Sequence, residues 1–426
     1  MILKQKINLG ILGLGTVGSS LVKILMQKNV EFKQNYGVEF NIKKIAVRKI
    51  NAPRRVAVPA NLLTDNPKEI TNDPNIDIVI ELMGGISPAK EIILQALGNK
   101  KNVITANKHL LAGYIDKLIS EAKEKGCYFG FRAALTGCHQ ILNHLAHGSS
   151  VNSIIGIFNG TCNYILTEME NNRRSFREVL LQAQEYGYAE ADPSMDIEGK
   201  DTADKIIIIA RLVFGVLIKP NDFYIEGINN IDIDDIQSVG ELGYRIKLLG
   251  ILKRDNNKLE VRVHPCLVPK EKTIGSLMGV RNGIQINDEL KGPNGLYADG
   301  AGGNPTAMAI IADLINMLEK SVVPWSKQSR KLTIKPMKMV RCKYYIRISA
   351  VNRPGVLSRV SSILGKHSIN IKSVIQKGEK PGIVVPLIIV TDEAFEKDIQ
   401  GAVILINKLD VIKGVSKIIR IEENVE

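Results

Sequence analysis

The sequence predicts an α/β protein in three parts: a Rossmann-type parallel sheet, a mixed-sheet domain, and a C-terminal ferredoxin-like domain of order βαββαβ. Three observations carry this reading. A glycine-rich turn, Gly13-Leu14-Gly15-Thr16-Val17-Gly18, stands between an apolar strand and an amphipathic helix. Short apolar strands then alternate with helical segments as far as Gly130, the pattern of a parallel sheet. From Tyr344 to Ile421 the segments follow the ferredoxin-like order.

In the first part, Ile7 to Leu12 reads as a buried strand, and the run after the glycine turn reads as a helix to about Gln27. In such a turn the first glycine permits the tight bend, the second lets backbone approach a pyrophosphate, and the third lets helix pack on strand. The helix N-terminus meets the phosphate charge. Gly13, Gly15, Thr16, Val17 and Gly18 are therefore candidate cofactor-binding residues. The next strand, near Phe40 to Val47, ends in Arg48-Lys49, where an NAD-selective fold usually carries an acidic residue. Cations there favour a 2'-phosphate and hence NADP over NAD, although two solvated basic residues on a loop would read the same way. Strands from Asp77 to Leu82 and Asn102 to Ala106 follow, with helices from about Pro88 and Tyr114. Met83-Gly84-Gly85 and Thr105-Ala106-Asn107-Lys108 come just after strand ends, the edge of an open α/β sheet where ligands bind.

Beyond Gly130 the strands, at about Ser153 to Phe158, Ile246 to Lys253 and Leu259 to Leu267, are longer and less regularly separated, as in a mixed sheet backed by helices. Asn159-Gly160-Thr161 lies between strand and helix, suiting backbone contacts to a carboxylate or a plain helix cap. Gly300 to Thr306 opens an apolar helix to about Leu318, where small residues permit close approach of a neighbouring helix or a cofactor. Residues 321–339, with Pro324 and Pro336, read as a linker. The third part reads as strand Tyr344 to Val351, helix Gly355 to Lys366, strands Ile369 to Gln376 and Ile383 to Thr391, helix Glu393 to Leu409 and strand Ser416 to Ile421. Asn352-Arg353-Pro354-Gly355 makes a loop suited to the rim of a small-ligand pocket. The expected domains are 1–130 (completed by a helix near 303–320), 131–302, a linker over 321–341, and 342–426.

Bulk composition narrows the function classes. With 426 residues, 45% hydrophobic and 24% charged, two or three globular domains are expected. The first apolar stretch is short and closes on Gly13, unlike a secretory leader. The longest apolar run, Ile206 to Ile218, is interrupted by Arg211, falls short of the roughly 20 residues a bilayer needs, and reads as a buried helix. Five cysteines without a CxxC suggest neither a disulfide framework nor a zinc site, so a reducing cytoplasm is the expected location. Lys and Arg number 57 against 44 Asp and Glu, but the cations are dispersed and aromatics are only 5%. Anionic small molecules account for the excess as well as nucleic acid would, so neither a nucleic-acid nor a membrane partner is expected.

Chemistry concentrates between Glu185 and Lys205. Seven carboxylates (Glu185, Glu190, Asp192, Asp196, Glu198, Asp201 and Asp204) stand there against Lys200 alone, before the apolar run begins at Lys205. Asp201 and Lys205 are four apart and share one helical face. Apolar surroundings disfavour the charged lysine and a nearby carboxylate restores it, the combination that lets a group release and recapture a proton. An ordinary surface ion pair is the plainer reading of the same pair.

Taken together, ILGLGTVGSSLVKIL (11–25), DIVIELMGG (77–85), VITANKHLLA (103–112), GIFNGTCNYIL (156–166), GYAEADPSMDIEGKDTADK (187–205), GAGGNPTA (300–307) and NRPGVL (352–357) resemble the homoserine dehydrogenase family over essentially the whole chain, with a C-terminal domain similar to an ACT domain. The resemblance implies reversible NAD(P)-dependent hydride transfer between homoserine and aspartate 4-semialdehyde, on the route to threonine and methionine. It implies Lys205 as general acid/base at the C4 oxygen, Lys108 beside both cofactor and substrate, and Glu190, Asp201, Asp196 and Thr161 around the substrate. Gly187 and Gly303 join the cofactor-binding set. An amino-acid effector, threonine, is implied at the ACT domain, and a homodimer or homotetramer as the assembly, with the middle domain serving substrate and dimerisation.

One segment departs from the family's pattern. Where relatives carry FEA and hold a monovalent cation, sodium, this chain has Phe131-Arg132-Ala133. Arg132 reverses that charge and argues against the cation, leaving only the backbone carbonyls of Leu135, Gly137 and His139 as donors. Adjacent Cys138 and His139 invite a nucleophile reading, but neighbours on one short segment seldom achieve the required geometry. The altered segment keeps open a catalytically weakened protein that serves as an amino-acid sensor or partner-binding subunit, and another amino-acid dehydrogenase of the same architecture is a third reading.

Overall fold

A computed structural model describes residues 6–146, 150–300, 302–319, 332–376 and 380–425. Residues 321–331 of the expected linker, and Ala301 of the glycine-rich block, lie outside the described residues.

The N-terminal sheet has six strands, all parallel, in the order Leu63–Thr64, Glu39–Ala46, Lys6–Leu12, Ile78–Glu81, Asn102–Thr105, Phe129–Gly130. Its central strand buries Leu9, Ile11 and Leu12 completely, because a strand covered on both faces needs side chains of one character. On one face, helix Thr16–Tyr36 and helix Gly303–Leu318 share a core of Leu21, Val22, Leu25, Ala307, Ile310 and Leu314. The second of these helices comes back from residue 303 to complete the sheet's cover. On the other face, helices Ala89–Gly98 and Lys108–Lys125 join the larger core of the middle region.

Two helix limits differ from the sequence expectation. The first helix runs on to Tyr36 because Phe32 still reaches the core and Gly37, at φ 69°, provides the left-handed residue that ends it. The helix expected from Tyr114 begins at Lys108. Asn107 accepts a hydrogen bond from the Leu110 amide at 3.1 Å, and Leu110 and Leu111 are already buried.

The second sheet is continuous from the middle region into the C-terminal one. Along its main path run Gly292–Asp299, Arg281–Asp288, Val151–Ile157, Tyr244–Asp255 and Lys258–Pro269, then Lys417–Ile421, Arg341–Val351, Val384–Thr391 and Ile371–Gln376. Strand Lys417–Ile421 makes the join, pairing parallel with Lys258–Pro269 at Cys266–Arg420 and Leu267–Ile421. Ion pairs across it reinforce this seam: Arg420 with Glu226 at 3.0 Å, Arg262 with Glu422 at 3.0 Å, and Arg347 with Asp235 at 2.7 Å. The hairpin of Arg281–Asp288 and Gly292–Asp299 escaped the sequence because its residues are largely polar. The run from Ile206 is not one helix to Ile218. Helix Lys200–Ile209 widens into a π turn at Ala210–Phe214 and stops at Gly215, whose φ of 69° only glycine adopts readily. Among the described residues, no helix is long and apolar enough to cross a membrane.

Candidate active site

Helix Lys200–Ile209 is buried from Asp201 onward, so its polar first turn enters the interior and needs partners. It finds them on two other segments. Lys205 Nζ, with 4% of its side chain exposed, donates to the Phe158 carbonyl at 2.6 Å and pairs with Asp201 Oδ2 at 3.1 Å. Lys108, on the first turn of its helix and 37% exposed, pairs with the other oxygen, Asp201 Oδ1, at 3.0 Å. One carboxylate thus holds two ammonium groups, one buried and one reaching the open side.

Asn159 completes the cluster. It caps helix Gly160–Asn172 through Oδ1, which accepts from the Cys162 amide at 2.8 Å. Its Nδ2 donates to Asp201 Oδ2 at 3.0 Å and to Asp196 Oδ1 at 2.7 Å. The sequence marked Asn159 as a cap or a carboxylate contact; that it joins two carboxylates of the acidic stretch was not legible, since they lie 37 and 42 residues away.

The electrostatics divide the cluster. Burial raises the Asp201 carboxyl, but Lys108 and Lys205 overcome it and hold the group well below the usual carboxylate range. Burial, with repulsion from Asp201, pushes Asp196 up to about 6. The Asp201 charge raises the Lys108 pKa against the opposing effect of burial.

The other candidate substrate residues sit around this core. Thr161 Oγ1 donates to the Tyr188 carbonyl at 2.7 Å, tying the start of the acidic stretch to helix Gly160–Asn172. Glu190 is exposed, and among the described residues its carboxylate has no hydrogen-bonding partner, leaving it open to solvent. Gly187, at φ 73°, forms the exposed turn after helix Phe176–Glu185.

The glycine turn fits a dinucleotide. A Cβ on Gly13 would lie 2.6 Å from the Leu82 carbonyl oxygen, and one on Gly18 would lie 2.4 Å from the Gly13 oxygen. Those two glycines serve the chain itself. Gly15 meets nothing within 4 Å and faces open space, where a ligand backbone would approach. Exposed Thr16 accepts from Arg55 Nη1 at 3.2 Å, and Val17 is half-buried behind it. A cavity of about 670 Å³ opens here, lined by Gly13 and Gly15 together with Arg48, Lys49, Arg54 and Asp65. Gly303 is used differently: a Cβ there would strike Ser20 Oγ at 2.4 Å and approach the Thr16 carbonyl at 3.0 Å. Its bareness lets helix Gly303–Leu318 cross the first helix, the first of the two uses the sequence left open.

The altered segment is packed as protein. Arg132 is buried; its Nε lies 3.3 Å from Asp313 Oδ1, its amide donates to Asp313 Oδ2 at 2.8 Å, and its Nη1 donates to Asn143 at 3.0 Å. Burial pushes Asp313 up to about 7. Of the carbonyls offered for a cation, Leu135 already accepts from the Cys138 amide at 2.9 Å and His139 from the Leu142 amide at 3.1 Å, while Gly137 packs against Asn282. Among the described residues, no group of His, Cys, Asp and Glu is arranged to hold a metal ion. Burial pushes the Cys138 thiol up to about 12 and the His139 imidazole down, the reverse of a thiolate–imidazolium pair.

Three family models match this chain: "Homoserine dehydrogenase" over residues 138–315, "Homoserine dehydrogenase, NAD binding domain" over 13–132, and "ACT domain" over 344–410. A homoserine dehydrogenase of Neisseria gonorrhoeae is 37% identical over 431 residues, covering 98% of this chain and 99% of the relative. The crystal structure of a homoserine dehydrogenase from Thiobacillus denitrificans superposes with a TM-score of 0.89 at 39% identity, over 98% of each chain. That of the Staphylococcus aureus homoserine dehydrogenase at pH 6.5 gives 0.77 at 30% identity, over 99% of each.

Proposed function

The chain belongs to the homoserine dehydrogenase family and is an NAD(P)-dependent oxidoreductase; from that premise we propose that it interconverts L-homoserine and L-aspartate 4-semialdehyde, with Lys205 as the proton donor and acceptor. The observation that carries this reading is the Asp201 carboxylate shared between Lys205 and Lys108 at 3.1 and 3.0 Å. When bound, the nicotinamide supplies or accepts the hydride. Gly13, Gly15, Thr16, Val17, Gly18, Arg48, Gly187 and Gly303 are the residues proposed to hold or border it, Gly303 through helix packing.

In aldehyde reduction, negative charge grows on the oxygen at C4. A cationic Lys205, aimed by Asp201 and the Phe158 carbonyl, stabilises that charge and gives its proton to the oxygen. In homoserine oxidation the same nitrogen takes the hydroxyl proton. Lys108 and Asp201 position the reacting end, while Asp196, Glu190 and Thr161 hold the amino-acid end. The intact lysine pair argues against a catalytically weakened sensor.

Binding of an ammonium group by Asp196 has a pH consequence. Its carboxyl, raised to about 6, protonates as pH falls through that value and loses its attraction for the substrate. KM for homoserine should therefore rise below pH 6, approaching about tenfold per pH unit, and Asp196→Asn should remove that slope. A KM that stays flat from pH 7 to 5 would contradict the role.

The cations Arg48, Lys49 and Arg54 lining the cofactor cavity support a preference for NADP over NAD. Arg48→Asp should lower kcat/KM for NADP roughly tenfold to a hundredfold, the worth of one charged hydrogen bond, with little loss for NAD. An unchanged ratio refutes the assignment. The packing of Arg132 supports activity without a bound monovalent cation. Regulation by an amino acid, threonine, at the ACT domain, and assembly as a homodimer or homotetramer, complete the proposal.

A further inference from the structure

His109 follows Lys108 on the first turn of its helix, and both side chains reach the same partner helix. Lys108 meets Asp201 at 3.0 Å; His109 Nδ1 meets Asp204 Oδ2 at 3.1 Å. Asp201 and Asp204 are three apart and therefore neighbours on one side of helix Lys200–Ile209. The Asp204 side chain is 7% exposed, whereas that of His109 is 54% exposed and faces a cavity of about 920 Å³.

A carboxylate so enclosed needs a donor, and among the described residues His109 is the one hydrogen-bonded to it. The Lys108 ammonium stands close by. Lys108 is drawn chiefly by Asp201, with smaller pulls from Asp196 and Asp204. Lys200, one turn earlier on the same helix and lining the same cavity, is already paired with Glu198 at 2.5 Å, so without His109 Asp204 would turn to the flexible Lys108 ammonium and compete with Asp201 for it.

We propose that His109 is a positioning residue: by occupying Asp204 it reserves Lys108 for Asp201. The inference rests on the reading of Lys108 and Asp201 as active-site groups. It goes beyond that reading because His109 needs no contact with substrate or cofactor.

The test is steady-state kinetics of the full-length enzyme with homoserine and NADP. His109→Ala should lower kcat/KM for homoserine roughly tenfold, the scale of effect of a misplaced reacting group. His109→Ala/Asp204→Asn should regain most of that loss, because a neutral amide no longer draws the ammonium. A merely structural contact predicts the opposite, since the double variant removes both partners and should be no better. An unchanged kcat/KM in His109→Ala overturns the proposal, as does a double variant no more active than the single one. Lys108→Ala, assayed alongside, separates the two levels. If it is fully active, the reading of the site fails and takes this inference with it; if it is inactive while His109→Ala is normal, only the inference fails.

Discussion

Lys205→Met is expected to lower kcat about a thousandfold, within the usual range for loss of a general acid/base, while leaving cofactor affinity within about twofold. Methionine keeps an unbranched stem at this buried position and removes only the ammonium. The fold should tolerate the change, because Asp201 keeps Lys108 at 3.0 Å and Asn159 at 3.0 Å and is not left as an unpaired buried charge. The Phe158 carbonyl likewise keeps the Asn282 amide at 3.0 Å. Cofactor affinity is preserved because the glycine turn and its cavity belong to other strand ends. Homoserine-dependent NADP reduction, measured together with fluorescence titration of NADPH, reads both halves. A variant within tenfold of the parent would remove Lys205 from the chemistry.

What the sequence disclosed about this site follows from the range of the interactions. Asp201 and Lys205 are one helical turn apart, so their meeting is a local property that spacing reveals. The glycine turn is equally local. Its three glycines separate into two required by the chain's own close contacts and one left open, as the motif's mechanics anticipate. Lys108 fell on a predicted strand edge, but its helix was placed six residues late because the Asn107 cap was passed over. The ferredoxin-like unit was legible from alternating apolar residues. Its joining to the middle sheet through Lys417–Ile421 was not, because parallel pairing across more than 150 residues leaves no local trace.

Arg132 shows the limit most clearly. The sequence exposed its unusual charge but not its partner, Asp313, which lies 181 residues away on the returning helix. The same distance hid the link from Asn159 to Asp196 and Asp201 and the pairing of His109 with Asp204, 95 residues apart. Side chains brought together by tertiary structure, rather than by period, are what reading along the chain omits.

Asp201→Asn is expected to be the most damaging isosteric change in the site, costing both catalysis and stability. Lys205, 4% exposed, would keep only the Phe158 carbonyl and the dipole of an amide, and breaking one partner from a buried ion pair typically costs about 3–5 kcal/mol. Lys108, 37% exposed, can turn toward water, so the loss falls mainly on Lys205. The pH dependence gives the test its sign. The native Asp201 carboxyl lies below its unfolded value of 3.8, so its contribution is fully present above pH 4 and is lost only as pH falls through the depressed native value. Urea unfolding should thus give a gap between parent and Asp201→Asn that is constant from pH 8 to about 5 and narrows in stronger acid. Activity should fall at least a hundredfold across the neutral range, since the amide no longer supplies the charge that aims both ammonium groups. An Asp201→Asn protein as stable as the parent at pH 7 would mean that the two lysines are held by something other than the carboxylate between them.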